Sequence, residues 1–170
     1  MVLVSVVLAA LAVAAFGLDT GLLTGFALAA AAPELFRTDV AQHRLPNRLT
    51  YLALLAGVAS AGVSWLATGV PPLVPIVAGV AYGGLFLVFA LFGGMGMGDV
   101  KLAAALGLAS PTLTIAVFSP MLTFLSGGVV AVAVLFRRGR AAHTEHIAFG
   151  PFMLSGYFGA LIFAAVSRLL

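Results

Sequence analysis

The sequence predicts an all-α, polytopic transmembrane helix bundle of about six to seven spans. Of its 170 residues, 63% are hydrophobic and only 8% are charged, whereas a soluble domain carries about 25% charged residues. Apolar runs of about 20 residues recur along the chain, without the short alternating segments of an outer-membrane barrel. The composition excludes a water-soluble fold, and the length leaves no room for a separate soluble domain. We therefore expect one integral-membrane domain over residues 1–170.

The first two apolar runs predict two helices joined by a short turn. Residues 1–16 are apolar but lack the positively charged start of a secretory signal peptide, so we expect a retained first helix. A turn at residues 17–20 leads to a second helix over about residues 21–35. The longest polar stretch of the chain, residues 37–48, then separates this helix from the third.

Five further helices follow from the remaining apolar runs. Pro71 and Pro72 mark a turn between two of them, because proline ends one helix and suits the first turn of the next. The fifth helix is the shortest, and its limits are the least well defined. The predicted ranges are about 49–68, 73–92, 100–110, 113–136 and 149–167.

The basic residues indicate the orientation in the membrane. If the spans alternate, Arg168 lies on one face and the other seven basic residues lie on the opposite face: Arg37, Arg44, Arg48, Lys101, Arg137, Arg138 and Arg140. Cytosolic loops carry the excess of Lys and Arg. We therefore expect a protein of the inner, cytoplasmic membrane with these loops and its amino terminus in the cytosol. Asp39 and Asp99 fall on the same face, although the orientation was derived without them.

Two carboxylates at this boundary are the candidate catalytic groups. The chain has five acidic residues, and Asp39 and Asp99 flank apolar runs. Two carboxylates held close together cannot both ionise cheaply, so one keeps a proton. The ionised group can take a proton from water and the protonated group can donate one to a carbonyl oxygen, which hydrolyses a peptide without a metal. The alternative is that each aspartate only caps a helix or pairs with an arginine.

Other polar motifs give weaker indications. Glycines at positions 93, 94, 96 and 98 precede Asp99 and remove side-chain bulk, but the stretch lacks the Gly-Lys-Ser/Thr ending of a phosphate-binding loop. His143, Glu145 and His146 could be metal ligands, yet no third histidine lies nearby and the chain has no cysteine. We therefore predict neither a metal nor a cofactor.

Three segments together carry a family resemblance. Residues 39–50 contain an Asp seven residues before Pro46, followed by Asn47 and Leu-Thr. Residues 96–102 contain Gly-x-Gly-Asp, and residues 147–152 contain a Phe-Gly-Pro-Phe entry to the last helix. These segments resemble the type IV prepilin peptidases and their relatives, the archaeal preflagellin peptidases. They occur in the family's order and at similar spacing, and they span most of the chain.

The resemblance implies an aspartic endopeptidase of the Gly-x-Gly-Asp type, with Asp39 and Asp99 as the catalytic pair. It would remove the leader peptide of prepilin-like or preflagellin-like precursors at the cytosolic membrane face, just before their hydrophobic segment. Its partners would be this substrate and the lipid bilayer, with a homo-oligomer as an additional possibility and no nucleic acid. The expected supporting residues are Gly96, Gly98, Lys101, Pro46 and Asn47, and the expected substrate-site lining is Phe149, Gly150 and Pro151. The resemblance gives Lys101 no defined role, and its charge could act on the aspartate pair or lie at the lipid headgroups.

Two parts of this resemblance predict specific roles. Gly96 and Gly98 would let the substrate backbone or the loop after Asp39 approach closely. Many bacterial family members also carry a cytosolic insertion with paired Cys-x-x-Cys motifs and methylate the new amino terminus. This chain has no cysteine and no such insertion between its first two helices. We therefore predict a short form that cleaves without transferring a methyl group.

Three alternatives follow from other protein classes. Proteases of the signal peptide peptidase or presenilin type carry a Tyr-Asp pair and a Pro-Ala-Leu motif, but Thr38 precedes Asp39 here and no Pro-Ala-Leu occurs. A small proton- or cation-coupled transporter would place its carboxylates at mid-membrane depth rather than at the cytosolic edge. A non-catalytic scaffold would need neither aspartate.

Overall fold

A computed structural model describes residues 1–16, 21–92, 95–138 and 148–169. Over these residues the chain forms seven α-helices and no β-strand, which confirms the predicted all-α class. The predicted turn at 17–20, the first two glycines before Asp99 and the 143–146 metal pattern lie outside the described residues. The helices are α1 Val2–Phe16, α2 Gly21–Gln42, α3 Asn47–Thr68, α4 Leu73–Leu91, α5 Met97–Leu108, α6 Leu113–Arg138 and α7 Gly150–Leu169.

Four of the described helices are long and apolar enough to cross a membrane. They are α3, α4, α6 and α7, while α1 is a shorter apolar helix. The 12 residues of α5 extend only about 18 Å, which is less than the ~30 Å hydrocarbon thickness of a bilayer. The helical bundle is confirmed, and the number of six to seven spans remains a prediction.

The short helix α5 is enclosed by protein. It packs against α3 and α4 and also contacts α7. A Cβ added to Gly107 would collide with the backbone of Ala78 on α4, so the two helices meet at van der Waals distance. The hydroxyl of Tyr157 on α7 donates a hydrogen bond to the Ala109 carbonyl oxygen at 3.0 Å. These contacts let α5 be short because its surface does not have to match the bilayer. Its buried residues are Leu102, Ala103, Ala105, Leu106 and Gly107.

The end of α2 differs from the prediction. The helix does not end near Leu35 but continues to Gln42, through half of the polar stretch. The Thr38 hydroxyl donates to the Glu34 carbonyl oxygen at 2.7 Å, and the helical backbone continues past both residues. His43, with a φ of 51°, then ends the helix in the left-handed conformation. Polarity here marks the end of the apolar segment and not the end of the helix.

The start of α5 also differs from the prediction by one turn. The helix begins at Met97 rather than near Val100, because extended Gly96 occupies the N-cap position. Asp99 therefore lies inside the first turn of α5, whereas Asp39 lies in the last turn of α2. Helix α2 contacts α7, and α7 contacts α5. This packing brings both aspartates to the same end of the bundle.

Candidate active site

Asp39 is buried at the amino-terminal end of α7. Its side chain belongs to a residue that is only 4% exposed. The carboxylate atom Oδ2 accepts a hydrogen bond from the Gly150 backbone N–H at 2.8 Å, across 111 residues of chain. Unpaired N–H groups and the positive end of the helix dipole favour a negative charge at this position. Asp39 therefore caps another helix, not its own.

Gly150 is required for this contact. A Cβ added to Gly150 would lie 2.7 Å from Asp39 Oδ2 and 3.1 Å from Leu45 Cδ2. Real Cβ atoms essentially never approach an oxygen so closely, so any larger residue would displace the carboxylate. Gly150, one of the three residues predicted to line the substrate site, therefore contacts a catalytic candidate directly.

Asp99 is held by the residue that caps its own helix, α5. The backbone N–H of Gly96 donates to Asp99 Oδ2 at 3.1 Å, which is one half of a capping box. The other carboxylate oxygen, Oδ1, is buried and has no hydrogen-bond partner among the described residues. An unpaired buried oxygen is costly as an anion, whereas a protonated carboxyl can present a hydroxyl there.

Leu45 lies between the two helix starts that carry the site. Residues 43–46, which link α2 to α3, place its buried side chain against Gly98 and Gly150. A Cβ added to Gly98 would lie 2.9 Å from Leu45 Cβ. The loop after Asp39 thus approaches the Gly-x-Gly-Asp segment at Gly98. Leu45 was not predicted from the sequence, although it is an apolar residue directly after two basic ones, His43 and Arg44, within a polar stretch.

The two carboxyl groups lie outside the four long apolar helices and have perturbed pKa values. Burial raises the pKa of Asp99 to about 6; the hydrogen bond from Gly96 lowers it, and the charge of Asp39 raises it further. Burial also raises the pKa of Asp39, while the Gly150 N–H and nearby His43 act in the opposite direction. The two groups are thus electrostatically coupled, and both are partly removed from water.

Lys101 and Asn47 form a direct contact beside Asp99. Lys101 Nζ donates to Asn47 Oδ1 at 2.9 Å and lies 4.4 Å from the centroid of the Tyr51 ring. Asn47 is the first residue of α3, and Tyr51 follows it by one helical turn on the same face. Tyr51 was missed by the sequence analysis, and its i+4 spacing from Asn47 was the available signal.

The two remaining lining candidates have different surroundings. Phe149 belongs to an aromatic cluster, with ring centroids 5.7 Å from Phe86, 6.1 Å from Phe124 and 5.9 Å from Phe152. Pro151 instead lines an open groove of about 440 Å³ between α2 and α7, which we call the α2–α7 groove. Its lining residues are Phe36, Val40, Ala148, Pro151, Phe152 and Ser155.

No metal centre accompanies the aspartates in the part of the chain that the structure describes. No group of three or more His, Cys, Asp or Glu side chains converges there.

Pro46 precedes α3 with an extended backbone, and its carbonyl oxygen accepts the N–H of Leu49 at 3.0 Å. The site therefore consists of two carboxyl groups, the backbone amides of Gly96 and Gly150, and the wedge formed by Leu45.

Comparisons with known proteins cover all of these residues. The model of the type IV leader peptidase family matches residues 22–166. The chain is 32% identical over 179 aligned residues to the prepilin leader peptidase/N-methyltransferase of Burkholderia pseudomallei strain 1026b, and equally to that of strain K96243. Each alignment covers 99% of this chain but 55% of the relative, so the chain spans about half the length of these curated relatives. No solved structure gives a significant match.

Proposed function

The chain belongs to the type IV leader peptidase family, and we propose that it is a membrane-embedded aspartic endopeptidase in which Asp39 and Asp99 are the catalytic pair. The observation that carries this proposal is the contrast between two coupled carboxyl groups, of which Asp39 is buried and Asp99 is partly buried. One accepts a strong hydrogen bond from a helix amino terminus, and the other has a buried oxygen without a partner among the described residues.

This contrast supports a proposed division of the two catalytic roles. Asp39, which accepts the Gly150 N–H, is the ionised group and removes a proton from the attacking water. Asp99 keeps its proton and donates it through Oδ1 to the carbonyl oxygen of the scissile peptide bond. Collapse of the tetrahedral intermediate then returns a proton to the leaving amine. Cleavage should decline as the pH rises through the pKa of Asp99, which is about 6.

The substrate is proposed to be a prepilin-like or preflagellin-like precursor, cut just before its hydrophobic segment. The α2–α7 groove supports this choice because its lining is mostly apolar and begins beside Asp39, at Phe36 and Val40. Both side chains are about half exposed. A substrate with its scissile bond at the aspartates would place its first apolar residues here, and the groove volume suits a few side chains.

The proposed location is the cytoplasmic membrane, with the amino terminus and the site in the cytosol. The supporting pattern is the excess of basic residues near the site, including the exposed Arg37, Arg44 and Arg48. We further propose that cleavage occurs without methyl transfer, because the sequence contains no cysteine. Label from a radioactive methyl donor that appears in the cleaved product would contradict this second proposal.

The first test is cleavage of a pilin-like substrate in membranes by the parent, Asp39→Asn and Asp99→Asn. The substrate should have a short basic leader, a glycine at the cut and a hydrophobic stem. Both variants should insert and fold but lose at least about 1000-fold in rate, because neither asparagine can exchange a proton. The matched control is Glu34→Gln, which neutralises a carboxylate of α2 whose one ion pair among the described residues is with exposed Arg37.

The outcomes of this test separate the protease from its alternatives. Retained cleavage by either asparagine variant would overturn the aspartic mechanism. If the parent does not cleave any such substrate but its aspartates control proton or cation flux into vesicles, the transporter alternative replaces the peptidase. If Glu34→Gln loses as much rate as the other two variants, the loss reflects charge or folding and not catalysis.

A further inference from the structure

Lys101 occupies a position that the catalytic mechanism does not use. It lies two residues after Asp99 in α5, but its ammonium group is directed to α3. Nζ lies 2.9 Å from Asn47 Oδ1 and 4.4 Å from the centre of the Tyr51 ring. The hydrogen bond joins residues 54 positions apart in the sequence. A lysine stem of four carbons is costly to order, so a contact that uses two partners is a specific arrangement.

We propose that Lys101, Asn47 and Tyr51 form a clasp that holds the amino terminus of α5 against the start of α3, which makes Lys101 a positioning residue for Asp99. The inference rests on the proposed function and deepens it, because the clasp would determine how the acid faces the base.

The residues of the clasp lie close in sequence to Leu45 and Gly98, which contact each other at the site. Asn47 follows Leu45 by two residues, and Lys101 follows Gly98 by three. Leu45 contacts both Gly98 and Gly150, and Gly150 in turn donates to Asp39. The segment that carries Asp99 thus packs against Leu45 at Gly98 and is tied through Lys101 to Asn47, two residues further along the same stretch of chain. Without the tie, the start of α5 could move away from Leu45, and Asp99 would move relative to Asp39.

The position of the ammonium group indicates that Lys101 affects where Asp99 lies rather than the pKa of Asp99. The influences that set the pKa of Asp99 are burial, the Gly96 N–H, the charge of Asp39 and its own backbone. The Lys101 charge is directed to an amide oxygen and an aromatic face, which both favour a cation. Loss of the clasp should therefore lower kcat while leaving the pH dependence unchanged.

The kinetic test compares Lys101→Met, Asn47→Ala and the double variant with the parent in the cleavage assay. Each single variant should lower kcat about tenfold with KM within twofold, because a displacement near 1 Å can cost 10- to 100-fold in rate. The double variant should be no slower than the slower single variant, since both changes break the same contact. The control Arg48→Met removes a neighbouring exposed charge and should leave kcat within twofold.

Three kinetic results would overturn the inference. A shift in the midpoint of the alkaline limb would mean that the Lys101 charge acts on Asp99 directly. A rise in KM with unchanged kcat would place Lys101 in substrate binding. Multiplying losses in the double variant would mean that the two residues act separately. Lys101→Arg, which can still donate to Asn47 and stack on Tyr51, should recover most of the rate.

A structural readout tests the clasp even if the parent cleaves no substrate. Hydrogen exchange at the amides of residues 96–101 should accelerate in Lys101→Met and Asn47→Ala, but not in Arg48→Met. Unchanged exchange at this segment would contradict the clasp, whatever the activity of the protein. A failure of the proposed function would instead appear as absent cleavage by the parent together with the expected exchange pattern.

Discussion

Asp39 and Asp99 are bound at the same end of the bundle by contacts of opposite kinds. Asp39 depends on tertiary structure, because its hydrogen-bond donor is Gly150, 111 residues away at the start of another helix. Asp99 depends on local structure, because its donor is Gly96, three residues away in the same turn. The local contact occupies only one oxygen of Asp99 and leaves the other buried without a partner among the described residues.

This difference separates the states that the two groups favour. A carboxylate at the start of a 20-residue helix is stabilised as an anion. A carboxyl with a buried, unpaired oxygen is stabilised as a neutral acid, which can serve as a hydrogen donor. Two aspartates in one site can thus favour different protonation states because their surroundings differ, although their chemical type is the same. A substitution beside either aspartate should therefore change the protonation equilibrium of both.

Among changes to the surroundings of the two aspartates, the largest effect should come from Gly150→Ala, which disrupts the tertiary contact of Asp39. The added methyl would lie 2.7 Å from Asp39 Oδ2, so the carboxylate must move away from the helix start. We expect cleavage to fall about 100-fold while the protein remains folded, because a short side chain can turn aside at modest cost. The measurement is kcat/KM in detergent micelles, with the melting temperature determined in parallel.

Gly128→Ala is the matched control for this change. It adds the same methyl group to a helical glycine of α6, where the added carbon would meet no other part of the described structure within 4 Å apart from its chain neighbours and its own helix backbone. Because alanine favours a helix over glycine, its stability should rise slightly and its activity should stay within twofold. Equal activity of the two alanine variants would show that Asp39 does not need its contact with α7.

The sequence pointed to the candidate catalytic groups but not to their contacts. Asp39 and Asp99 stand out because charged residues are rare in this chain and both flank apolar runs. The link between Asp39 and Gly150 was not accessible, because periodicity and composition carry no information about which helix ends meet. The position of Leu45 between Gly98 and Gly150 could not be inferred for the same reason.

The errors in helix limits have a related physical origin. Helix α2 was predicted to end near Leu35 because polarity rises there, yet the backbone remains helical to Gln42. A helix that passes the edge of an apolar region keeps its backbone hydrogen bonds whether its side chains face lipid or water. The extra turns place Asp39 on a rigid element rather than in a loop. The all-α class was predictable because it depends on composition and run length alone.

A smaller effect is expected on the stability of the folded protein, where replacing Asp99 and replacing Asp39 by asparagine should differ. The pKa of Asp99 is raised from 3.8 to about 6 in the folded protein, so folding favours its neutral form. Its ionisation therefore destabilises the fold as the pH rises from about 4 to 6, and the loss persists above that range. Asp99→Asn cannot ionise, so it should be more stable than the parent at pH 8 by at most about 3 kcal/mol, and similar to it at pH 4.

Asp39→Asn provides the comparison in the same thermal unfolding experiment. In the parent, burial also raises the pKa of Asp39, but the Gly150 N–H and His43 act in the opposite direction. Replacing Asp39 by asparagine would remove a smaller cost of burying a charge and would weaken a charge-assisted hydrogen bond. The gain in stability at pH 8 should therefore be smaller than that of Asp99→Asn. A larger gain for Asp39→Asn would reverse the assignment of base and acid.

The smallest effect should appear where the substrate approaches on the Asp39 side of the pair. The α2–α7 groove is flanked on α2 by Phe36 and Val40, which neighbour Asp39, so a bulky side chain in the groove should hinder binding without disturbing Asp99. Ser155→Trp would fill much of the 440 Å³ and should raise KM about fivefold with kcat within twofold. Leu52→Trp is the matched control, because Leu52 is half exposed and is the sixth residue of α3, as Ser155 is of α7. If Ser155→Trp lowers kcat and leaves KM unchanged, the groove does not hold the apolar stem, and the two aspartates must receive the substrate from another side.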